Sequence, residues 1–213
     1  MSGGIKVEDN LELLFYKCAY ENNYQVAGED TDYKFIEDDD TLYIFFKGSD
    51  SDYDWKMNFW FTEKVYKMFR VHKGFYKEYN DVRNIILDKC YSKNYKKIIV
   101  IGYSLGGALT QLALEDIEYH FPELDVKAYA FESPRCLKVP KKYKGLWKNL
   151  TRIETNWDLV CHCPPRLFGY NNLGQSIKNK GDVSLVLNKL PKCIKSHYPQ
   201  VVYDGLNKYE QNL

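Results

Sequence analysis

The sequence has no apolar run long enough to cross a membrane: its apolar runs, such as residues 98–101, are far short of the ~18–20 residues needed. It also lacks net charge, because 30 Lys and Arg are set against 29 Asp and Glu, giving +1. No basic patch suits a phosphate backbone, so we expect no nucleic-acid partner. No repeat, low-complexity tract or flexible linker divides the chain. We therefore predict one globular domain, 1–213, without a transmembrane segment.

The first ten residues lack the apolar stretch of a secretory signal. The chain is large enough, and at 45% apolar residues hydrophobic enough, to form a core without disulfides. We therefore expect free thiols in a reducing compartment and predict a cytoplasmic location. A second Cys pair at zinc-site spacing is missing beside Cys161-His162-Cys163, so we predict no metal site.

Strand-like and helix-like segments alternate along the chain. Continuous apolar runs predict buried strands, and apolar residues three or four apart predict helices. Such runs predict strands at 42–46 and 98–101, and segments 128–131 and 150–155 resemble two further strands. The predicted helices lie within 1–20, 75–90 and 105–113. Such alternation implies crossover connections and a mainly parallel sheet, so the fold class is α/β.

One junction predicts chemistry. The strand ending at Gly102 runs directly into Tyr103-Ser104-Leu105-Gly106, a Gly-x-Ser-x-Gly pattern followed by a helix. In such a sharp turn the small residues let strand and helix approach closely, and the Ser hydroxyl is lifted above the sheet. The pattern predicts Ser104 as a nucleophile and the Leu105 N–H as an oxyanion donor. The alternative is a glycine-rich turn with an idle serine.

A serine nucleophile needs a base, normally His, and the base follows the serine in chain order. Three histidines follow Ser104. His120 ends the helix after the serine, far from its start. His162 lies only four residues from a candidate acid, on the same loop. We therefore predict His197 as the base, with His162 as the alternative.

The acid should lie between the serine and the base. Asp158 follows the predicted strand 150–155, at the carboxyl edge where α/β sites form. Asp125 precedes a predicted strand and so belongs to the opposite edge. Asp182, the reserve candidate, lies in a polar stretch with no predicted strand before it. We predict Asp158 as the acid.

Six short segments, in this order, resemble the class 3 (fungal triacylglycerol-type) lipase family of the α/β-hydrolase fold. They are FFKGS at 45–49, VHKGFYKEY at 71–79, GYSLGGALT at 102–110, FESPR at 131–135, DLVCHCPP at 158–165 and SHYPQVV at 196–202. The resemblance implies a serine hydrolase of lipid esters that needs no metal or organic cofactor. By the same resemblance Ser104, Asp158 and His197 form the triad, and Ser49 is the second oxyanion donor, through its hydroxyl and N–H.

Several positions concern substrate and surface. The aromatic-rich segment before residue 71 occupies the place of the family's lid, and Trp55 and Met57 are the lid candidates. Tyr103 replaces a His common in the family and is predicted to contact substrate. Glu132 stands where a small Gly is usual, so its carboxyl near the sheet edge needs a partner. A membrane or lipid-droplet surface is where such an enzyme could meet its substrate.

Two rival functions remain open. One is an esterase for soluble acyl esters, which would use the same triad. The other is a catalytically silent hydrolase-fold protein that binds lipid or a partner protein; the intact order of serine, acid and histidine argues against it.

Overall fold

Strands and helices alternate along most of the chain. The structure is a computed structural model that describes residues 10–48, 62–187 and 189–211. The strands of these residues are β1 Gln25–Ala27, β2 Thr31–Asp38, β3 Thr41–Phe46, β4 Glu63–Tyr66, β5 Phe69–His72, β6 Lys97–Tyr103, β7 Asp125–Phe131, β8 Leu137–Lys138, β9 Leu150–Thr155 and β10 Gln175–Asn179. The α-helices are α1 Leu11–Ala19, α2 Lys73–Tyr91, α3 Leu105–His120, α4 Lys192–Lys195 and α5 Pro199–Glu210. No helix among the described residues has the length and apolar character to cross a membrane.

The main sheet has seven strands in the order β1-β2-β3-β6-β7-β9-β10. The strands from β3 to β10 in this order pair in parallel, whereas β1 and β2 add an antiparallel edge. Strand β6, helix α3 and strand β7 form one crossover unit, as the alternating pattern predicts. The mainly parallel α/β sheet is confirmed.

Alternate side chains of the central strands point to opposite faces of the sheet, and helices cover both faces. On one face Ile44 and Val100 pack with the apolar residues of α2 and α3. On the other, Phe45 and Ile101 pack with those of α1 and α5. This burial on both sides explains why the central strands read as continuous apolar runs.

A second, three-stranded antiparallel sheet has the order β4-β5-β8. The sequence patterns do not predict it, because β4 and β5 are short and their turn has Lys67, at φ 50°, rather than a glycine signal. The described part of the predicted lid segment therefore belongs to a sheet. Its Tyr66 and Phe69 side chains are buried in the core.

Candidate active site

Ser104 occupies the turn between β6 and α3 in a strained backbone conformation. Its φ of 55° and ψ of −118° lie in a region that costs a non-glycine residue about 1–3 kcal/mol. The Ser104 N–H donates to the Phe131 carbonyl at 2.9 Å, which ties the turn to the end of β7. Strain of this kind, held by neighbouring structure, is typical of a functional residue.

The two glycines of the motif are required by close backbone approach. A Cβ on Gly102 would lie 2.1 Å from the Gly106 carbonyl oxygen. A Cβ on Gly106 would lie 2.2 Å from the Phe46 carbonyl oxygen. Both distances are far inside van der Waals contact, so β3, β6 and α3 can meet around Ser104 only if these positions have no side chain.

His197, between α4 and α5, lies between the other two predicted triad residues. Its Nε2 is 2.7 Å from Ser104 Oγ, and its Nδ1 is 2.7 Å from Asp158 Oδ2. All three side chains are buried. Because an aspartate carboxylate can only accept, Nδ1 is the protonated nitrogen and Nε2 is free to accept the serine proton. The structure brings together the three residues chosen from the sequence.

Asp158 is presented by a tight turn after β9. Trp157 has a φ of 74°, and the Asp158 N–H donates to the Thr155 carbonyl at 3.1 Å. The second carboxylate oxygen, Oδ1, accepts from the Val160 N–H at 2.8 Å. Burial alone would raise the pKa of Asp158, but the charge and hydrogen bond of His197 outweigh it and hold this pKa below its ordinary value. Asp158 is therefore an ionised acceptor.

Tyr103, predicted to contact substrate, packs against the base. Its hydroxyl donates to the His197 backbone carbonyl at 2.5 Å, and the two rings stack with centroids 5.4 Å apart. Burial, and then the charge of Asp158, raise the pKa of the Tyr103 hydroxyl well above its ordinary value, so it remains a donor. Tyr103 therefore holds His197 in place, a role that the sequence patterns do not indicate.

Glu132 lies directly beside the triad acid. It follows β7 at a φ of 49°, and its side chain is completely buried. Its carboxyl accepts from the Thr155 N–H at 2.8 Å and from the Thr155 hydroxyl at 2.7 Å. Burial, and then the charge of Asp158, raise the pKa of Glu132 well above its ordinary value. The partner predicted for this carboxyl is therefore Thr155. Asp158 lies next to it.

The residues around Asp158 do not suit a metal ion. Among the described residues, one group has ligand atoms close enough together to hold a metal ion. It consists of Glu132, Asp158 and Cys161, whose ligand atoms lie within 4.8 Å of one another. Two of these groups already have protein donors: Asp158 Oδ2 accepts from His197 Nδ1, and Glu132 Oε1 accepts from the Thr155 hydroxyl. Burial and the adjacent carboxyls raise the pKa of the Cys161 thiol well above its ordinary value. His162 is exposed while Cys161 is buried, so the two do not share a ligand pocket. All six cysteines are free.

The alternative acids and bases have other contacts. His162 is exposed, and its backbone carbonyl accepts from Arg135. The His120 Nδ1 lies 2.8 Å from the Asp116 carbonyl at the far end of α3. The expectation that no strand precedes Asp182 is wrong, because β10 does; it was missed because it is a polar edge strand with Ile177 as its one apolar residue. Asp182 is nevertheless exposed and accepts from the Ser184 N–H.

Three predicted site residues, Ser49, Trp55 and Met57, lie outside the described residues. The chain is described up to Gly48, where a Cβ would lie 3.3 Å from the Ser104 Cβ. Leu105 is the first residue of α3. The first N–H groups of a helix have no partner within it, so the Leu105 N–H is available to a ligand oxygen beside Ser104.

A family model described as lipase (class 3) matches residues 43–168, more than half of the chain. The chain belongs to the class 3 lipase family. Its fold is the α/β-hydrolase fold of this family: a solved triacylglycerol lipase whose catalytic centre is a serine protease triad aligns with a TM-score of 0.66 and 27% identity. That alignment covers 76% of this chain and 67% of the other.

Two relatives are similar in sequence. A lipase of Rhizomucor miehei is 29% identical over 168 residues, which cover 73% of this chain and 44% of the relative. The secreted mono- and diacylglycerol lipase MDL2 of Malassezia globosa is 31% identical over 110 residues, which cover 48% of this chain and 36% of the relative. The chain thus matches less than half the length of these relatives.

The predicted cytoplasmic location is wrong by this comparison. MDL2 is a secreted protein, which points to an extracellular location for this branch of the family. The prediction depended on the polar character of the first ten residues and on unpaired cysteines, and neither feature defines a compartment.

Proposed function

We propose that this member of the class 3 lipase family is a serine carboxylic ester hydrolase that cleaves lipid esters through an acyl-enzyme. The observation that supports this most directly is the pair of 2.7 Å contacts that His197 makes with Ser104 and Asp158. Two apolar clusters pack on opposite faces of one sheet, which supports a single domain over 1–213.

In the first half of the reaction, His197 Nε2 takes the proton of Ser104 as Oγ attacks the ester carbonyl carbon. The imidazolium that forms is stabilised by Asp158, which already accepts a hydrogen bond from Nδ1. His197 then gives the proton to the leaving alcohol, and the acyl group stays on Ser104 as an ester.

In the second half, His197 accepts a proton from water, which attacks the acyl-enzyme and releases the carboxylic acid. The proton returns to Ser104, so that base and nucleophile end in their starting states. None of these steps requires a metal or an organic cofactor.

The negative oxygen formed in each half needs donors about 2.7–3.1 Å away. We propose the Leu105 N–H as one donor, since Leu105 is the first residue of α3 beside Ser104 and the first N–H groups of a helix have no partner within it. Ser49 remains the second proposed donor, because its neighbour Gly48 lies against Ser104. Loss of one such donor lowers kcat by about 10²–10³ in other serine hydrolases.

The substrate class is proposed from the family and its relatives. R. miehei has a similar lipase and M. globosa a secreted mono- and diacylglycerol lipase, so acylglycerols are the first substrates to test. An extracellular site of action is proposed on the same likeness. A lipid surface as the place of action, with Trp55 and Met57 as lid residues and Tyr103 as a substrate contact, remains a prediction.

Labelling with a fluorophosphonate probe, followed by mass spectrometry, tests the triad. We expect label on Ser104, no label in the Ser104→Ala protein, and a labelling rate at least about 10³-fold lower in His197→Ala. His162→Ala is the matched control, because the His162 side chain is exposed, whereas Ser104 is buried. Label on another residue, or unchanged labelling of His197→Ala, overturns the proposal.

Rates measured across the solubility limit of a short-chain acylglycerol separate a lipase from a soluble esterase. A rise in rate once droplets form supports action at a lipid surface. Smooth saturation below the limit, without a further rise, assigns the triad to soluble esters instead.

A further inference from the structure

Glu132 has a position between the nucleophile and the acid of the triad. It immediately follows β7, and β7 lies in the sheet between β6, which leads to Ser104, and β9, which leads to Asp158. The Glu132 N–H donates to the Ile153 carbonyl on β9 at 2.8 Å. The residue after β7 therefore reaches the acid loop from within the protein, away from solvent.

The Glu132 carboxyl accepts from Thr155 on one side, and the Asp158 carboxylate lies within 4.8 Å of it on the other. Oε1 accepts from both the N–H and the hydroxyl of Thr155, at 2.8 and 2.7 Å, and the same N–H contacts Oε2 at 3.0 Å. Cys161 Sγ lies 3.4 Å from Glu132 Oε2 and 3.5 Å from Asp158 Oδ2, so it bridges the two carboxyls. The thiol has a single proton and cannot serve both oxygens.

Two adjacent carboxyls in a buried pocket cannot both be ionised at moderate cost. Asp158 is the better site for the negative charge, since its oxygens accept from His197 and from the Val160 N–H. The ionisable side chains around the pair are His197, Cys161, Tyr103 and Glu154, the last of which is bonded to Arg152 and Lys178. The positive charge that develops at His197 meets Asp158 and not Glu132.

We propose that Glu132 is a positioning residue for the triad, which stays protonated and donates a hydrogen bond to the Asp158 carboxylate. The inference rests on the proposed function, in which Asp158 orients His197. The proton is assigned to Oε2, because Oε1 accepts the two shorter Thr155 contacts, whereas Oε2 is the oxygen that shares Cys161 Sγ with Asp158 Oδ2. The pair then has one negative charge, and the hydrogen bond holds Asp158 in line with Nδ1 while it spreads that charge. The raised pKa of Glu132 and the lowered pKa of Asp158 agree in direction.

The pH profile of fluorophosphonate labelling tests this role with two variants. Glu132→Gln keeps a neutral donor for Asp158 and an acceptor for Thr155, so we expect the acidic limb of its profile to match the wild type. Glu132→Met removes the donor. The negative charge of Asp158 is then no longer shared with a hydrogen bond from position 132, so it stabilises the protonated form of His197 more strongly. We expect its acidic limb to move up by about one pH unit.

An ionised Glu132 would give the opposite pattern. Its replacement by Gln would then remove a full negative charge near His197 and move the acidic limb down by about one pH unit. That result, or a Met variant with the wild-type limb, overturns the proposal. A merely structural role changes the amount of active protein but leaves the position of the limb unchanged.

Infrared difference spectra of Ser104→Ala protein with and without Glu132→Gln give a readout that needs no activity. We expect the spectrum at neutral pH to contain the carbonyl stretch of a protonated carboxylic acid, which the Gln variant lacks. Its absence overturns the inference about Glu132. Failure of the proposed function is distinguished from this, because it would appear as probe label away from Ser104 while the infrared band persisted.

Discussion

The Tyr103 hydroxyl donates a 2.5 Å hydrogen bond to the backbone carbonyl of His197, and its ring stacks on the imidazole at an interplanar angle of 22°. Tyr103 immediately precedes the nucleophile, so the serine turn and the segment that presents the base are joined directly. His197 lies between two helices, α4 and α5, on a segment without strand pairing. The tyrosine therefore limits how far the imidazole can move from Ser104.

Tyr103→Phe removes this hydrogen bond while keeping the stacked ring. We expect it to lower kcat about fivefold and the free energy of unfolding by about 1 kcal/mol, because a buried carbonyl loses its donor. Ester hydrolysis and urea unfolding measure the two effects. Tyr91→Phe, at an exposed position on α2, is the matched control. A Tyr103→Phe protein with wild-type kcat would show that the hydroxyl does not position the base.

Asp158→Asn replaces an acceptor with a group that can also donate to Nδ1. His197 would then adopt the tautomer with the proton on Nε2, which cannot accept the serine proton. We expect kcat to fall by about 10⁴, as for the equivalent change in another serine hydrolase. Asp182→Asn is the matched control, since Asp182 is exposed and contacts Ser184. If Asp182→Asn were the more damaging change, the acid would be assigned wrongly.

Gly106→Ala tests the close approach of α3 to β3. The new Cβ would lie 2.2 Å from the Phe46 carbonyl oxygen, so backbone must move. We expect the free energy of unfolding to fall by about 3 kcal/mol or more. Gly145→Ala is the control, because no atom lies within 4 Å of its Cβ, and should change stability by less than about 1 kcal/mol. Equal urea midpoints for both variants would contradict this packing.

Glu132→Gln should change how stability depends on pH. The folded pKa of Glu132 is raised, so above its ordinary value of 4.5 the unfolded chain releases a proton that the folded protein keeps. The stability that Glu132 contributes is complete below pH 4.5 and is lost as pH rises towards the folded pKa. Relative to Glu132→Gln, the wild type should lose about 1.4 kcal/mol per pH unit in this window.

Urea unfolding of both proteins from about pH 5 to about pH 8 measures this difference. Asp158 has a pKa shift of opposite sign, but it is present in both proteins, so the comparison isolates position 132. A constant difference between the two proteins would mean that Glu132 is ionised in the folded state.

Most of the fold, and the residues that meet at the candidate site, could be predicted because their signals are local. The buried strands β3 and β6 contain continuous apolar runs, and the turn at Ser104 is encoded in five consecutive residues. The choice of Asp158 over Asp125 depended only on whether each residue precedes or follows a predicted strand. These inferences need a strand position and a chain order but no packing detail.

Other features depend on which strands become neighbours, and no local pattern encodes that. The contact of Glu132 with Asp158 exists because β7 and β9 end side by side. The role of Tyr103 likewise depends on the path of the chain after β10, which places His197 against the Tyr103 ring. Strand β10 itself was missed because an edge strand with one apolar residue, Ile177, has too weak an alternation to be recognised.

Glu132 follows β7, which lies between the strand that leads to Ser104 and the strand that leads to Asp158, and its side chain is fully buried. Position 132 is therefore a target for protein engineering. By the proposed role of Glu132, a substitution at this buried position shifts the pH range of the proposed reaction without changing the protein surface. Variation among natural sequences at this one position could adapt a common scaffold to surroundings of different acidity.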